Sequence, residues 1–206
     1  MASSGEYRLK DGRAVVLRTA GPEDTSAIAR LFAELSRESF RSRFQAGQPS
    51  PAVVERFARV DLPRVVSVVA AAAGDPGRLA AEARYVLMGD GTAELAFTVL
   101  DSYQGAGLGR LLLNVLVERA RESGLKRLRA VISLANAPML HLLAPYGWVL
   151  AEPADDYSTA CLEISTIGGM PGWPATSAGR RVVVEQRGWF GNERVEALRS
   201  AGYDVR

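Results

Sequence analysis

The chain has 206 residues, of which 48% are hydrophobic and 23% are charged. This balance is typical of a globular protein with one ordinary domain and an extension, and the net charge of +2 is too small to indicate nucleic-acid binding. No apolar run approaches the ~18 residues of a membrane span, and the N-terminus lacks the apolar segment of a secretory signal. The single cysteine, Cys161, excludes an internal disulfide and a cysteine-rich metal site. We therefore expect a cytoplasmic protein that binds no metal, no membrane and no nucleic acid.

The first half of the chain predicts one strand, two helices and a meander of strands. A short strand is predicted over residues 14–18, and Pro22 opens a helix whose apolar stripe includes Ile28 and Leu31. Residues 51–60 fit a second short helix. Three strand-like runs follow, separated by glycine-rich turn signals, and they cover residues 65–73, 79–88 and 93–100.

The second half predicts alternating helices and strands. Residues 108–122 follow the 3.6-residue period of a helix that Gly124 ends, and Asn136 can cap a helix that reaches residue 144. Strands are predicted over residues 128–133, 148–150 and 159–164. Residues 166–180 are typical of a linker, and residues 181–206 predict a short β-α extension, with a strand over 181–185 and a helix over 192–200. The element order predicts an α/β fold with a mixed, mostly antiparallel sheet flanked by helices.

A glycine-rich segment, Gln104-Gly105-Ala106-Gly107-Leu108-Gly109, joins the last meander strand to the long helix. Glycine permits backbone conformations that other residues avoid, and the first turn of a helix offers unpaired N–H groups to an anion. A phosphate or pyrophosphate is therefore the expected ligand. The dinucleotide fingerprint fails because Arg110 stands where its last glycine is needed, and the Walker loop fails because no lysine follows the glycines.

The spacing Q-x-x-G-x-G resembles the pyrophosphate motif of the GNAT superfamily of N-acetyltransferases. The resemblance covers residues 13–165, which we take as an acetyltransferase domain, and it includes the segment from Asn136 to Trp148 and the strand over 93–99. Within the superfamily the chain is most similar to the bacterial protein-lysine acetyltransferases of the Pat type, on the segments 35–44 and 57–61 and on Ala83-Arg84-Tyr85.

The resemblance implies that acetyl-CoA is the co-substrate. In the superfamily the pantetheine arm lies along the central strand, the loop amides hold the pyrophosphate, and the residue matching Asn136 lies near the thioester; Asn136 could equally be a helix cap. The cofactor-binding residues implied by position are Thr98, Val99, Leu100, Gln104, Gly105, Ala106, Gly107, Leu108, Gly109, Arg110 and Asn136.

Glu94 is the candidate general base. Acetyl transfer to an amine needs a neutral nucleophile, and only about one lysine in a thousand is neutral at pH 7. Glu94 lies in an apolar strand, where we expect partial desolvation to make it a stronger base. Relatives of the histone and Pat types carry their catalytic glutamate at the matching place. The alternative is a solvent-facing strand residue, and Glu82 on the preceding strand is the second candidate.

Other residues bear on the mechanism. Many relatives carry a tyrosine as general acid where this chain has Leu143, and this departure favours an enzyme that relies on a glutamate base. Tyr146 is three residues further on and is not assigned the role. His141 is expected at the surface or half-buried, and Cys161 in a buried strand. The arginines at positions 37, 41 and 43 either form a solvated face or border the acceptor groove.

The expected function is acetyl transfer from acetyl-CoA to a primary amine by direct attack, with a protein lysine as acceptor and the backbone of Val99 as oxyanion donor. Two alternatives stay open. One keeps the fold and takes a small amine as acceptor, and the other is a domain that binds acyl-CoA without catalysis. The protein could also form a homo-oligomer.

Overall fold

The computed structural model describes residues 5–44, 49–89, 91–133, 136–146, 148–153, 159–166, 181–182 and 204–205. It contains two compact units. The first comprises residues 1–89 and 95–119, and the second comprises residues 90–94 and 120–206.

The sheet of the first unit is built from five strands in the order β1-β2-β3-β4-β5. β1, β2, β3 and β4 pair as antiparallel neighbours, with registers such as Val15 opposite Ala72 and Glu82 opposite Val69. The strands are β1 (Gly5–Arg8), β2 (Ala14–Thr19), β3 (Val65–Ala72), β4 (Asp75–Leu87) and the part of β5 (Ala93–Val99) from Leu95 onward.

Four helices accompany these strands: α1 (Thr25–Ala33), α2 (Arg37–Phe44), α3 (Pro51–Ala58) and α4 (Leu108–Glu122), of which residues 108–119 belong to this unit. The apolar stripe of α1 is buried, as its periodicity predicts, because it packs with α3 and the sheet into one core. Phe32 lies at the centre, with the rings of Phe44 and Phe57 each 4.9 Å from its ring centroid. Residues buried in this core include Ile28, Leu31, Val69, Leu79 and Leu100.

A buried ion pair connects β2 to the start of α1. Asp24 is 3% exposed, and both its carboxylate oxygens accept hydrogen bonds of 2.6 Å from Arg18. The backbone N–H of Gly21 donates a third bond to Asp24 at 2.9 Å. Desolvation opposes the ionisation of Asp24, but the bonds from Arg18 and Gly21 and the charge of Arg18 outweigh it, so the pKa of Asp24 lies below its usual value.

The second unit has a mixed set of strands. The first two residues of β5 pair in parallel with β6 (Arg127–Ser133), which pairs antiparallel with β8 (Thr159–Ser165), and β8 pairs antiparallel with β7 (Trp148–Pro153). The helix α5 (Ala137–Leu143) connects β6 to the β7 side of the chain. Two short strands, β9 (Arg181–Val182) and β10 (Asp204–Val205), pair in parallel with each other.

The predicted fold class is confirmed: the protein has a mixed, mostly antiparallel α/β arrangement flanked by helices. Two elements were not predicted, the strand β1 and the helix α2. The helix predicted over residues 192–200 lies outside the described residues. The boundaries predicted for the acetyltransferase domain, the linker and the C-terminal extension stay predictions.

Candidate active site

The segment after β5 forms a turn whose backbone N–H groups are unpaired. A 3₁₀ turn covers Asp101–Tyr103, and Gly105 and Gly107 have positive φ angles of 73° and 91°, which residues with side chains rarely adopt. Among the described residues, none accepts a well-aligned hydrogen bond from the N–H groups of residues 105–110. The last three of these residues form the first turn of α4, where N–H groups have no partner within the helix. Six consecutive free amides at the positive end of a helix can hold a phosphate or pyrophosphate.

Gln104 fixes this loop to its neighbours in the first unit. Its side-chain Nε2 donates to the carbonyl oxygen of Val99 at 3.1 Å and to the hydroxyl of Ser39 on α2 at 3.0 Å. Its backbone N–H donates to the carbonyl of Asp101 at 3.2 Å. The amide of Gln104 therefore positions the loop against the end of β5 and the start of α2.

Asp101 binds Ser36, the residue that caps α2 by accepting a hydrogen bond on its hydroxyl oxygen from the N–H of Ser39 at 3.2 Å. Its carboxylate accepts hydrogen bonds from the backbone N–H and hydroxyl of Ser36 at 3.0 and 2.6 Å, and from the hydroxyl of Ser39 at 2.8 Å. Desolvation raises the pKa of Asp101, but the bonds from Ser36 and Ser39 outweigh it and hold this pKa below its usual value. The loop and α2 are therefore joined by one continuous hydrogen-bonded network. Sequence reasoning missed it, since its partners lie more than 60 residues apart in the chain.

All three residues predicted to hold the pantetheine make contacts that the structure describes, and the carbonyl of Val99 is the one bound by Gln104. Thr98 is buried, and its hydroxyl accepts a hydrogen bond from the Nε of Arg43 at 3.1 Å. The N–H of Leu100 donates to the carbonyl of Ala80 at 2.9 Å. Arg43 is half-buried with its guanidinium 5.1 Å from the ring of Phe57, whereas the arginines at positions 37 and 41 are exposed. Arg43 therefore contacts the buried residues Thr98 and Phe57, unlike the exposed arginines at positions 37 and 41.

The two candidate bases have opposite surroundings. Glu82 is fully buried, and its Oε1 accepts hydrogen bonds from the Nε of Arg84 at 2.6 Å and from the hydroxyl of Ser67 at 3.1 Å. Its Oε2 is buried without a hydrogen-bond partner among the described residues. Arg84 in turn donates to the carbonyl of Phe57 at 2.5 Å and stacks on its ring at 3.8 Å. Glu82 thus positions Arg84, which binds the end of α3.

Glu94 is exposed, so the expected desolvation of its carboxylate is wrong. The side chain lies at the register position opposite Arg129 of β6. Within the part of the chain that the structure describes, the Glu94 carboxylate accepts no hydrogen bond and forms no ion pair. It is a free acceptor in an apolar strand, and its role as base stays a prediction.

Asn136 caps α5 in the second unit, since its side-chain oxygen accepts a hydrogen bond from the N–H of Met139 at 3.1 Å. Asn136 is therefore a helix cap, and its contact with the thioester stays a prediction. Leu143, at the tyrosine position, is fully buried, while His141 is exposed and Cys161 half-buried.

Neither a metal site nor a membrane helix is found in the described ranges. No group of three or more histidine, cysteine, aspartate or glutamate side chains there is placed to hold a metal ion. None of the helices is long and apolar enough to cross a membrane.

The sequence profile described as "Acetyltransferase (GNAT) family" matches residues 30–148, more than half of the chain. The protein therefore belongs to the GNAT family of acetyltransferases. It is an acetyl-CoA-dependent N-acetyltransferase. That the amides of residues 105–110 bind the pyrophosphate of this co-substrate stays a prediction.

The relatives include proteins of the Pat type. The chain is 31% identical over 152 residues to the acetyltransferase PA5475 of Pseudomonas aeruginosa, a match that covers 72% of this chain and 82% of that protein. It is 32% identical over 148 residues to the acetyltransferase Pat of Mycolicibacterium smegmatis, covering 69% of this chain but only 44% of that protein. The crystal structure of the GNAT domain of S. lividans PAT superposes with a TM-score of 0.70 at 27% identity, covering 79% of this chain and 96% of that domain.

Proposed function

We propose that this protein transfers the acetyl group of acetyl-CoA to the side-chain amine of a protein lysine, with Glu94 as the general base. The observation that carries the proposal is the free, exposed carboxylate of Glu94, ten residues before Gln104, in a chain similar to Pat-type proteins. A macromolecular acceptor needs a base that it can reach. Of the two candidate glutamates, Glu94 is exposed and Glu82 is fully buried.

The proposed reaction is a direct attack. Glu94 takes a proton from the lysine ammonium, directly or through one water, and the neutral nitrogen attacks the thioester carbonyl carbon. The C–N bond forms and the C–S bond breaks; the nitrogen, which carries a second surplus proton after the attack, releases it to solvent, and CoA leaves as a thiolate that accepts a proton from solvent. Leu143 is fully buried and apolar, so it supplies no proton to the leaving thiolate. The backbone of Val99 as oxyanion donor remains part of this proposal.

Incubation with labelled acetyl-CoA and a cell extract tests the acceptor. We expect label on lysine side chains of a limited set of proteins, located by mass spectrometry after digestion. If only small amines were labelled, the acceptor would be a small molecule and not a protein lysine. No transfer by a protein that binds acetyl-CoA would favour the sensing alternative.

A loop variant and its matched control test whether acetyl-CoA binds at the proposed cofactor site. Gly107→Glu places a carboxylate and a side chain at a φ of 91° in the loop, and we expect loss of acetyl-CoA binding by at least ~100-fold. Gly74→Glu imposes the same type of strain at a φ of 88° in an open hairpin turn and should keep binding. Equal affinities of both variants would contradict the loop assignment.

The proposed location in the cytoplasm is based on the composition of the sequence, and a homo-oligomeric state likewise stays a prediction.

A further inference from the structure

The turn between β1 and β2 brings a lysine onto the glycine loop. The backbone N–H of Lys10 donates to the carbonyl of Ala106 at 3.1 Å. The methylene carbons Cγ, Cδ and Cε of Lys10 lie 3.5–3.7 Å from the point where a Cβ on Gly107 would stand. The stem of Lys10 therefore lies beside Gly107, on the side where a side chain at this position would stand, in the middle of the unpaired amides of residues 105–110.

The backbone of this turn is held at several points. The N–H of Leu9 donates to the carbonyl of Arg13 at 2.7 Å, and the side chain of Leu9 is buried. Arg13 donates to the carbonyl of Ser102 at 2.7 Å and stacks on the ring of Tyr103 at 3.9 Å. The bond from Leu9 to Arg13 therefore closes the turn around Lys10, and Arg13 joins the turn to the segment that precedes the loop.

The ammonium of Lys10 is available for an anion. Lys10 is exposed, and no described residue forms an ion pair or a side-chain hydrogen bond with it. The two carboxylates on the adjoining segments are already engaged, because Asp11 binds Arg13 and Asp101 binds the two serines of the α2 cap. The first turn of α4 carries no acidic residue. The loop thus combines free amides with one uncommitted positive charge.

We propose that Lys10 is a cofactor-binding residue whose ammonium binds the pyrophosphate of CoA over Gly107. This proposal depends on acetyl-CoA binding and not on a lysine acceptor. The hairpin lies before residue 30, where the family profile begins to match, so position within the family motif gives no indication of this contact. The stem lies beside Gly107, where the backbone bond from Lys10 to Ala106 holds the turn, so the loop amides and the ammonium would surround the anion from two sides.

Calorimetry on the full chain measures the contact. Lys10→Met keeps most of the stem and removes the charge, and we expect the Kd for CoA to rise about fivefold at low salt, with a smaller rise at high salt. Lys10→Arg should keep the affinity within about twofold. Lys126→Met is the matched control, because Lys126 is the other lysine of the chain and is also exposed.

Dephospho-CoA distinguishes the two kinds of phosphate, since it lacks the 3′-phosphate and keeps the pyrophosphate. The proposal predicts the same fold loss for CoA and dephospho-CoA in Lys10→Met. A loss confined to CoA would overturn it in favour of the 3′-phosphate, and an unchanged Kd for both would overturn any phosphate contact. If the wild type itself bound neither compound, the cofactor assignment would fail, which is a different result.

Chemical modification of the wild-type protein gives a second readout without mutation. With two lysines, the rates of reductive methylation of Lys10 and Lys126 can be followed separately by mass spectrometry. CoA and dephospho-CoA at saturation should slow methylation of Lys10 and leave Lys126 unchanged. Equal rates for Lys10 with and without CoA would contradict the contact even if the affinity of a variant fell for structural reasons.

Discussion

Glu82 on β4 and Glu94 on β5 are both glutamates in apolar strands, yet their surroundings differ. Glu82 is fully buried beside Val69 of the core and is bound to Arg84 and Ser67, whereas Glu94 is exposed and unpaired among the described residues. Burial alone would favour Glu82 as the functional glutamate of the two. The contacts show instead that its carboxylate forms an ion pair with Arg84, which in turn donates hydrogen bonds to carbonyls at the end of α3. A buried ionic group can thus be structural, while a plain exposed carboxylate is the one that a substrate can reach.

The largest expected effect concerns Glu82. Removing one partner of a buried ion pair leaves the other charge uncompensated, and the Arg84 side chain is only 8% exposed. We therefore expect Glu82→Ala to lower the free energy of unfolding by about 3–5 kcal/mol in urea titrations. Glu55→Ala, at an exposed position on α3, should change it by less than about 0.5 kcal/mol. If Glu82→Ala and Glu55→Ala had similar stabilities, the structural role that distinguishes Glu82 from Glu94 would be contradicted.

A double-mutant cycle sharpens the same point. Glu82→Leu and Arg84→Met each leave one buried charge, but the double variant leaves none, so its cost should be smaller than the sum of the two single costs by about 2 kcal/mol. The double variant should still be less stable than the wild type, because the carbonyls of Arg56 and Phe57 lose their donor. Strict additivity would show that Glu82 and Arg84 do not act as a pair.

Asp24 extends the comparison to a buried carboxylate with both oxygens paired. Its pKa is lowered in the folded protein, so its contribution to stability is present above the unfolded value of ~3.9 and is lost as the pH falls through the lower folded value. We expect Asp24→Asn to cost about 1.5 kcal/mol at pH 7. The difference from the wild type should shrink below about pH 4 in melting experiments. A cost that is unchanged at pH 3 would contradict an ionic role for Asp24.

The sequence alone predicted the elements whose residues show a regular apolar period or a clear start or stop residue. The helix over residues 108–122 was predicted with the bounds of α4, and Gly124 ends it with a φ of 74°. The helix α2 was not among the predicted elements, because its apolar side consists only of Phe40 and Phe44 and because Asp101, which binds its cap residue Ser36, lies 65 residues away in the chain. The desolvation expected at Glu94 was wrong because strand composition does not determine which face another layer covers. Lys10 gave no local signal, since its partner loop is nearly 100 residues away.

The replacement Glu94→Gln tests the central claim most directly, and it should be measured as lysine acetylation together with acetyl-CoA affinity and melting temperature. We predict a fall in kcat of about 10²–10⁴-fold at pH 7, an unchanged Kd for acetyl-CoA and an unchanged melting temperature. The defect should narrow at high pH, where more of the acceptor amine is neutral. Glu55→Gln, an exposed glutamate on α3, should keep full activity. Wild-type turnover by Glu94→Gln, with the Glu55→Gln control also active, would contradict the assignment of Glu94 as the base.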